Sequence, residues 1–173
     1  MKGKKIYLRA IEPEDIELLY KWENDISIWH LSNTIAPFSK QTLKEYISNA
    51  HLDIYSTKQL RLMLNSTDPI QTVGCIDLFD FDPVNMRAGI GILIDKNYRE
   101  KGYASEALSL LIDYAFKILR LHQLYCNITI DNQKSLKLFQ KYKFSIIGLK
   151  KEWLRNKNKW DDEYMLQLIN NIE

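Results

Sequence analysis

A chain of 173 residues, 46% hydrophobic and 12% aromatic, is long enough to bury a substantial core and too apolar to be disordered. Its 24 basic and 22 acidic residues are mixed along the chain, so the formal charge of +2 gives neither a nucleic-acid stripe nor a polybasic membrane anchor. Met1-Lys2-Gly3-Lys4-Lys5 is basic, but the apolar run after it is too short for a secretion signal and no run reaches spanning length. These features predict a cytoplasmic protein that engages neither nucleic acid nor membrane.

In chain order, residues 5–10 read as a first strand. Pro13 among Glu12, Glu14 and Asp15 then marks a helix start, with proline in the first turn and carboxylates facing the positive dipole end. Ile16, Leu19 and Tyr20 continue that helix. Residues 29–38 read as an irregular loop, and Ser39 as the N-cap of a second helix carrying Leu43, Tyr46, Ile47 and Ala50. Leu60, Leu62 and Leu64 alternate along a strand. A turn cluster at 65–69 leads into a third strand over 72–81, and Asp82-Pro83-Val84-Asn85 turns into the apolar strand 88–94. Ala104, Ala107, Leu108, Leu111, Ala115 and Leu119 repeat at helical spacing, whereas Leu124, Cys126, Ile128 and Ile130 alternate with a period of two. Asp131 or Asn132 can cap a short helix through Tyr142. Two last strands, 144–154 and 160–168, flank a polar hairpin loop at 155–159. Cys75 and Cys126 fall in strand patterns with no partner at metal-ligand spacing and read as buried thiols; no metal site is expected. With no repeat and no linker, residues 1–173 are expected to form one α/β (α+β) domain.

The stretch Arg99-Glu100-Lys101-Gly102-Tyr103-Ala104 lies between the apolar strand and the long helix. A loop in that slot can aim several backbone N–H groups at an anion, with the helix dipole behind them. A Walker loop needs two glycines and a Lys followed by Ser or Thr, and a dinucleotide fingerprint needs three glycines here; neither is present. A glycine-containing turn that merely starts a helix is the alternative.

Arg99, Gly102 and Ala104 match the Gln/Arg-x-x-Gly-x-Gly/Ala pyrophosphate loop of the GNAT family of N-acetyltransferases. The element order β-α-α-β-β-β-α-β-α-β-β and the helix start Asn132-Gln133-Lys134-Ser135 match as well. The chain resembles this family along nearly its whole length. It is closest to the branch that acetylates polyamines and ribosomal-protein N-termini, on Leu8-Arg9-Ala10 with Glu14-Asp15 and on Ala115-Phe116 with Leu121-His122. The resemblance implies a mixed, mostly antiparallel sheet of about seven strands, splayed at the cofactor site. It also implies acetyl-CoA as cofactor and direct attack on it by a primary amine: a polyamine, another small amine or a protein N-terminus.

By that resemblance, Arg99, Glu100, Lys101, Gly102, Tyr103, Ala104 and Ser105 hold the pyrophosphate. Ile92, Leu93 and Ile94 pair with the pantetheine arm, the Leu93 N–H meets the thioester oxygen, and Asn132, Ser135 and Phe139 lie across the splay. Two positions depart from the family pattern. Phe139 stands where a Tyr general acid is expected, and Gly89 stands where a Glu is expected. Tyr142 is the replacement candidate for the acid, and Asp77, with Asp80 and His30 behind it, for the base. Trp22, Trp29 and His30, near Glu23 and Asp25, can line an amine cleft; core packing is the other reading of the tryptophans. The missing proton carriers leave a CoA-binding pseudoenzyme as the alternative function, and exposed rings and strand edges permit a homodimer.

Overall fold

Period-two alternation along the strands sorts the apolar side chains onto two faces of one sheet. The computed structural model describes residues 1–32, 34–156 and 158–170. The strands are β1 (Ile6–Arg9), β2 (Leu60–Thr67), β3 (Ile70–Asp82), β4 (Arg87–Ile94), β5 (Gln123–Thr129), β6 (Ser145–Asn156) and β7 (Lys159–Ile169). They lie in the order β1-β2-β3-β4-β5-β7-β6, and every neighbouring pair is antiparallel except β4 with β5. The helices are α1 (Ile16–Glu23), α2 (Trp29–Ser32), α3 (Lys40–Ser48), α4 (Ile54–Thr57), α5 (Tyr103–Lys117) and α6 (Gln133–Lys141). This is the mixed, mostly antiparallel sheet of seven strands that the family resemblance implied. None of the described helices is long and apolar enough to cross a membrane.

On one face, Leu62, Leu64, Ile76, Leu78, Ile90, Leu124 and Cys126 share a core with Ala107, Leu108, Leu111 and Ala115 of α5 and with Leu136 and Phe139 of α6. On the other, Met63 and Cys75 pack against Leu19 and Trp22 of α1 and Leu43 and Ile47 of α3. The two cysteines therefore lie on opposite faces, buried and free. Burial pushes the Cys75 thiol up to about 12 and the Cys126 thiol higher still, so both are protonated and inert at neutral pH.

Ser39 caps α3 as expected, accepting the Thr42 N–H at 3.0 Å. The stretch read as irregular begins instead with α2, because Asp25 caps the turn before it and the Trp29 indole donates to the Glu23 carbonyl at 2.8 Å. Residue 33 lies outside the described residues. The last hairpin is tighter than the polar loop at 155–159 suggested: Arg155 pairs with Trp160 and Asn156 with Lys159, while Lys157 lies outside the described residues.

Two features of β4 position everything downstream. Its parallel pairing with β5 covers only Arg87, Ala88 and Gly89, so the strands part beyond that point. At its end the Asp95 N–H returns to the Val73 carbonyl of β3 at 2.9 Å. The Asp95 carboxylate meanwhile takes Lys21 Nζ at 2.6 Å, Trp22 Nε1 at 3.0 Å and the Asn97 N–H at 3.0 Å. Burial pushes the Asp95 carboxyl up, but these three donors outweigh it and hold the pKa down at about 2. Because the folded value is depressed, its stabilisation is complete above the ordinary value of 3.8 and is lost as pH falls toward 2. Asp95→Asn should remove about 2 kcal/mol at neutral pH and flatten the acid limb between pH 4 and pH 2, read by urea unfolding across that range. An unchanged acid limb would show that the pin carries no such linkage.

Candidate active site

Beyond Gly89, each backbone group on the open side of β4 needs a partner that the sheet does not supply. Which residues face that gap follows from the register with β3. The pairing runs from Gly74 with Ile94 to Phe79 with Gly89 without a shift, and Asp95 donates to Val73. Counting back by two, Leu93 turns its N–H and C=O toward β3, and Ile92 and Ile94 turn theirs into the gap. A Cβ on Gly74 would lie 2.1 Å from the Leu93 oxygen, which agrees with that carbonyl pointing at β3. The expectation that the Leu93 N–H meets a ligand is thereby corrected: Ile92 and Ile94 hold the available groups. Arg99 Nε already reaches the Ile94 oxygen at 3.2 Å.

The loop that follows is shaped for an anion. Glu100 and Gly102 both have positive φ, 66° and 85°, in alternation with their neighbours, and no side chain caps α5. Such alternation curls successive N–H groups into a concave nest, and at the start of a helix the dipole adds its positive end. Lys101 and Arg99 belong to the loop itself. Lys134 of α6 forms an ion pair with Glu100, and Lys141 Nζ lies 3.2 Å from Ser105 Oγ. Across the gap, Asn132 caps α6 by accepting the Ser135 N–H at 3.2 Å, which leaves its amide NH2 as the group a ligand can use. The open β4 edge, the nest and this amide fit an extended, phosphate-bearing cofactor such as CoA. Phe139 contributes less than expected, because its ring is buried edge-on to Phe144, with centroids 5.0 Å apart.

The remaining candidates are redistributed. A Cβ on Gly89 would lie 2.4 Å from the Phe79 ring, so the space where the family pattern has a carboxylate is filled by a phenyl group. Tyr142 donates its hydroxyl to the Ser105 carbonyl at 2.6 Å, tying the end of α6 to the first turn of α5. In this arrangement it acts as a strut, with its proton given to that carbonyl. Asp77 accepts Arg61 Nε at 2.8 Å and Nη2 at 3.0 Å, and the same guanidinium bridges to Glu23. The Tyr46 ring lies 5.6 Å from that guanidinium, and burial pushes the Tyr46 hydroxyl up to about 12. Asp77 is thus half of an ion pair in place of a free base. Trp22 is 5% exposed and spends its indole N–H on Asp95, so it holds the core and not a substrate. Trp29 and His30 sit on α2, which packs against β6.

A groove of about 600 Å³ opens on the sheet face that carries Phe79 and Asp77. Asp80, Tyr125, Asn127, Lys150, Met165 and Gln167 are among its lining residues. Arg87 and Gln123, the first residues that β4 and β5 pair, line it too, and its Tyr125 stands opposite Gly89. The register of β3 slips between Phe79 and Asp82, and Asp80 takes φ 48° at that bulge, with its carboxylate 3.4 Å from the Tyr125 hydroxyl. Bulges commonly re-aim a side chain in this way. Tyr125, Asn127 and Gln167 were missed as lining residues, although the alternation in β5 already set Tyr125 and Asn127 on the face opposite Leu124 and Cys126. Among the described residues no cluster of His, Cys, Asp and Glu could hold a metal ion.

The acetyltransferase (GNAT) domain model matches residues 5–145. The chain therefore belongs to the GNAT acetyltransferase family and is an acyltransferase that draws on acetyl-CoA. Among its relatives, an uncharacterized N-acetyltransferase, p20, of Bacillus licheniformis is 28% identical over 170 residues, covering 96% of this chain and 93% of that protein. The spermidine N(1)-acetyltransferase of Escherichia coli K12 is 25% identical over 146 residues, covering 83% and 74%. The crystal structure of spermidine N-acetyltransferase from Vibrio cholerae in complex with CoA and spermine superposes with a TM-score of 0.87 at 21% identity, covering 96% of each chain.

If Tyr142 is a strut, Tyr142→Phe should lower unfolding stability by about 1 kcal/mol, the worth of one hydrogen bond, and leave the pH profile of kcat unchanged. Loss of the alkaline limb of that profile would restore the tyrosine to proton transfer.

Proposed function

We propose that this chain, acting as one domain, transfers acetyl from acetyl-CoA directly to a primary amine that carries a second cationic group. The observation that carries the proposal is the one-sided edge of β4 running into the nest at 99–105, which offers an acyl carrier a backbone rail and a phosphate seat in series. When bound, acetyl-CoA supplies an activated acyl group. The Ile92 N–H, already aimed into the gap, is the donor placed to stabilise negative charge on an acyl oxygen. Holding amine and acyl group side by side supplies much of the remaining rate.

The amine is accepted through the groove. Gly89, opposite the lining residue Tyr125, lies three residues and therefore about 10 Å along β4 from Ile92. An amine reaching the gap can then leave a second ammonium beside Asp80, a length that suits a polyamine better than a protein N-terminus. With Gly89 and Phe139 unable to carry protons, water entering by the groove takes the ammonium proton and returns one to the leaving thiolate. A thiol with a pKa near 8.5 is a tolerable leaving group without a dedicated acid, whose absence costs on the order of 100- to 10,000-fold.

Thiol release measured over spermidine, a simple monoamine and a peptide α-amine tests the proposal. Spermidine should turn over with the lowest KM, and Asp80→Asn should raise that KM about fivefold while leaving the monoamine KM and both kcat values unchanged. Thiol release from none of the three would leave binding without turnover as the function. We also infer that the chain self-associates along β6, an edge strand that exposes Ile147, Leu149 and Trp153. Sedimentation should show a species above the 20.5 kDa monomer that Ile147→Lys returns to monomer.

A further inference from the structure

We propose that the segment before β1 is part of the cofactor site, with Gly3 and Glu106 locking it against α5 so that Lys5 adds a cation to the phosphate loop. The proposal rests on the acetyl-CoA reading of that loop. Glu106 belongs to the first turn of α5, and its carboxylate accepts the N–H of Lys4 and, at 2.9 Å, that of Lys5. A Cβ at position 3 would lie 2.3 Å from Glu106 Oε1 and 2.7 Å from Cδ, so a larger residue there would have to displace that carboxylate from the two N–H groups. On the other side, the Lys5 carbonyl accepts the Thr67 N–H at 2.9 Å. The Lys5 backbone is thus held between α5 and the end of β2.

From that fixed base the side chain reaches over the loop. Lys5 Nζ donates to the Lys101 carbonyl at 3.2 Å and lies 3.6 Å from where a Cβ on Gly102 would be. The ammonium therefore stands beside the left-handed glycine that opens α5. Among the described residues it forms no ion pair, whereas Lys134 on the far rim is paired with Glu100. An unpaired ammonium beside a nest of N–H groups is a point charge for phosphate oxygens.

The arrangement also resolves a conflict of charge. A carboxylate in the first turn stabilises a helix by opposing its dipole, yet the same charge would repel a phosphate at that N-terminus. Two backbone N–H groups occupy the Glu106 oxygens, and the Lys5 ammonium offsets the charge on the side facing the loop. A strand far from the loop in sequence thereby supplies one of its cations.

The test titrates CoA against the full chain by calorimetry at low and at high salt. Lys5→Met should weaken CoA binding about 5- to 20-fold at low salt, and Lys5→Arg should recover most of it. The gap between Lys5→Met and the unaltered chain should narrow as salt rises, because screening removes a charge effect and spares a packing effect. Gly3→Val should reproduce the loss from a position that touches no ligand, by displacing the segment. The proposal is overturned if Lys5→Met binds CoA as tightly as the unaltered chain at low salt, or if its deficit is the same at both salts. Failure of the unaltered chain to bind CoA at millimolar concentration would overturn the cofactor reading itself, and this proposal with it.

Discussion

From Ile90 onward, β4 has a hydrogen-bonding neighbour on one side only. β3 holds it along its full length, while β5 leaves after Gly89 and completes its pairing with β7. Backbone groups left half-buried in that state, as at Ile92, keep their hydrogen-bonding capacity for a partner from outside the sheet. The other parts of the site are arranged around that gap. The Asp95 pin stops β4 from drifting toward β5, the nest continues from its end, and Asn132 closes the far side from the start of α6.

Charge is distributed with the same economy. On the face that holds α1 and α3, a single guanidinium serves both Asp77 and Glu23, so the cluster keeps one surplus negative charge close to Gly91. Burial opposes the charge on Arg61, yet its neighbours, Asp77 foremost, outweigh that and drive its pKa well above the ordinary value. Removing Arg61 would leave two carboxylates without their counter-ion in a site with little water, which makes the guanidinium the fixed centre of the cluster. Positive charge gathers instead at the start of α5, on Arg99, Lys101 and Lys5. The fold therefore holds surplus negative charge beside the middle of β4 and gathers positive charge beyond its end.

Much of this was legible from local pattern. Alternation in β5, the cap at Ser39 and the glycine of the phosphate loop each depend on neighbours within a few residues, where steric rules operate directly. The resemblance of 99–104 to a known loop then fixed the cofactor. What escaped was set at a distance. The direction of the Leu93 N–H depends on parity with β3, and one residue of register reverses it. Asp77 looked free because its partner, Arg61, lies across a hairpin. Trp22 looked like a cleft residue because its indole meets Asp95, 73 positions away. Tyr142 looked available because Ser105 lies 37 positions away. In the groove, Tyr125 and Asn127 were visible as the polar half of a strand. That no helix covers this half is a property of the whole chain.

The contact between Phe79 and the bare α-carbon of Gly89 bears on how such a site can change over time. A carboxylate introduced at position 89 would have to displace the Phe79 ring, whose carbons lie 2.4 Å from where its first carbon would sit. Nor does trimming Phe79 alone gain anything, since it opens a cavity beside Tyr125. The two positions form an epistatic pair, in which each change is harmful without the other. A lineage holding Phe79 with Gly89 is separated by a stability valley from one with an acidic residue there.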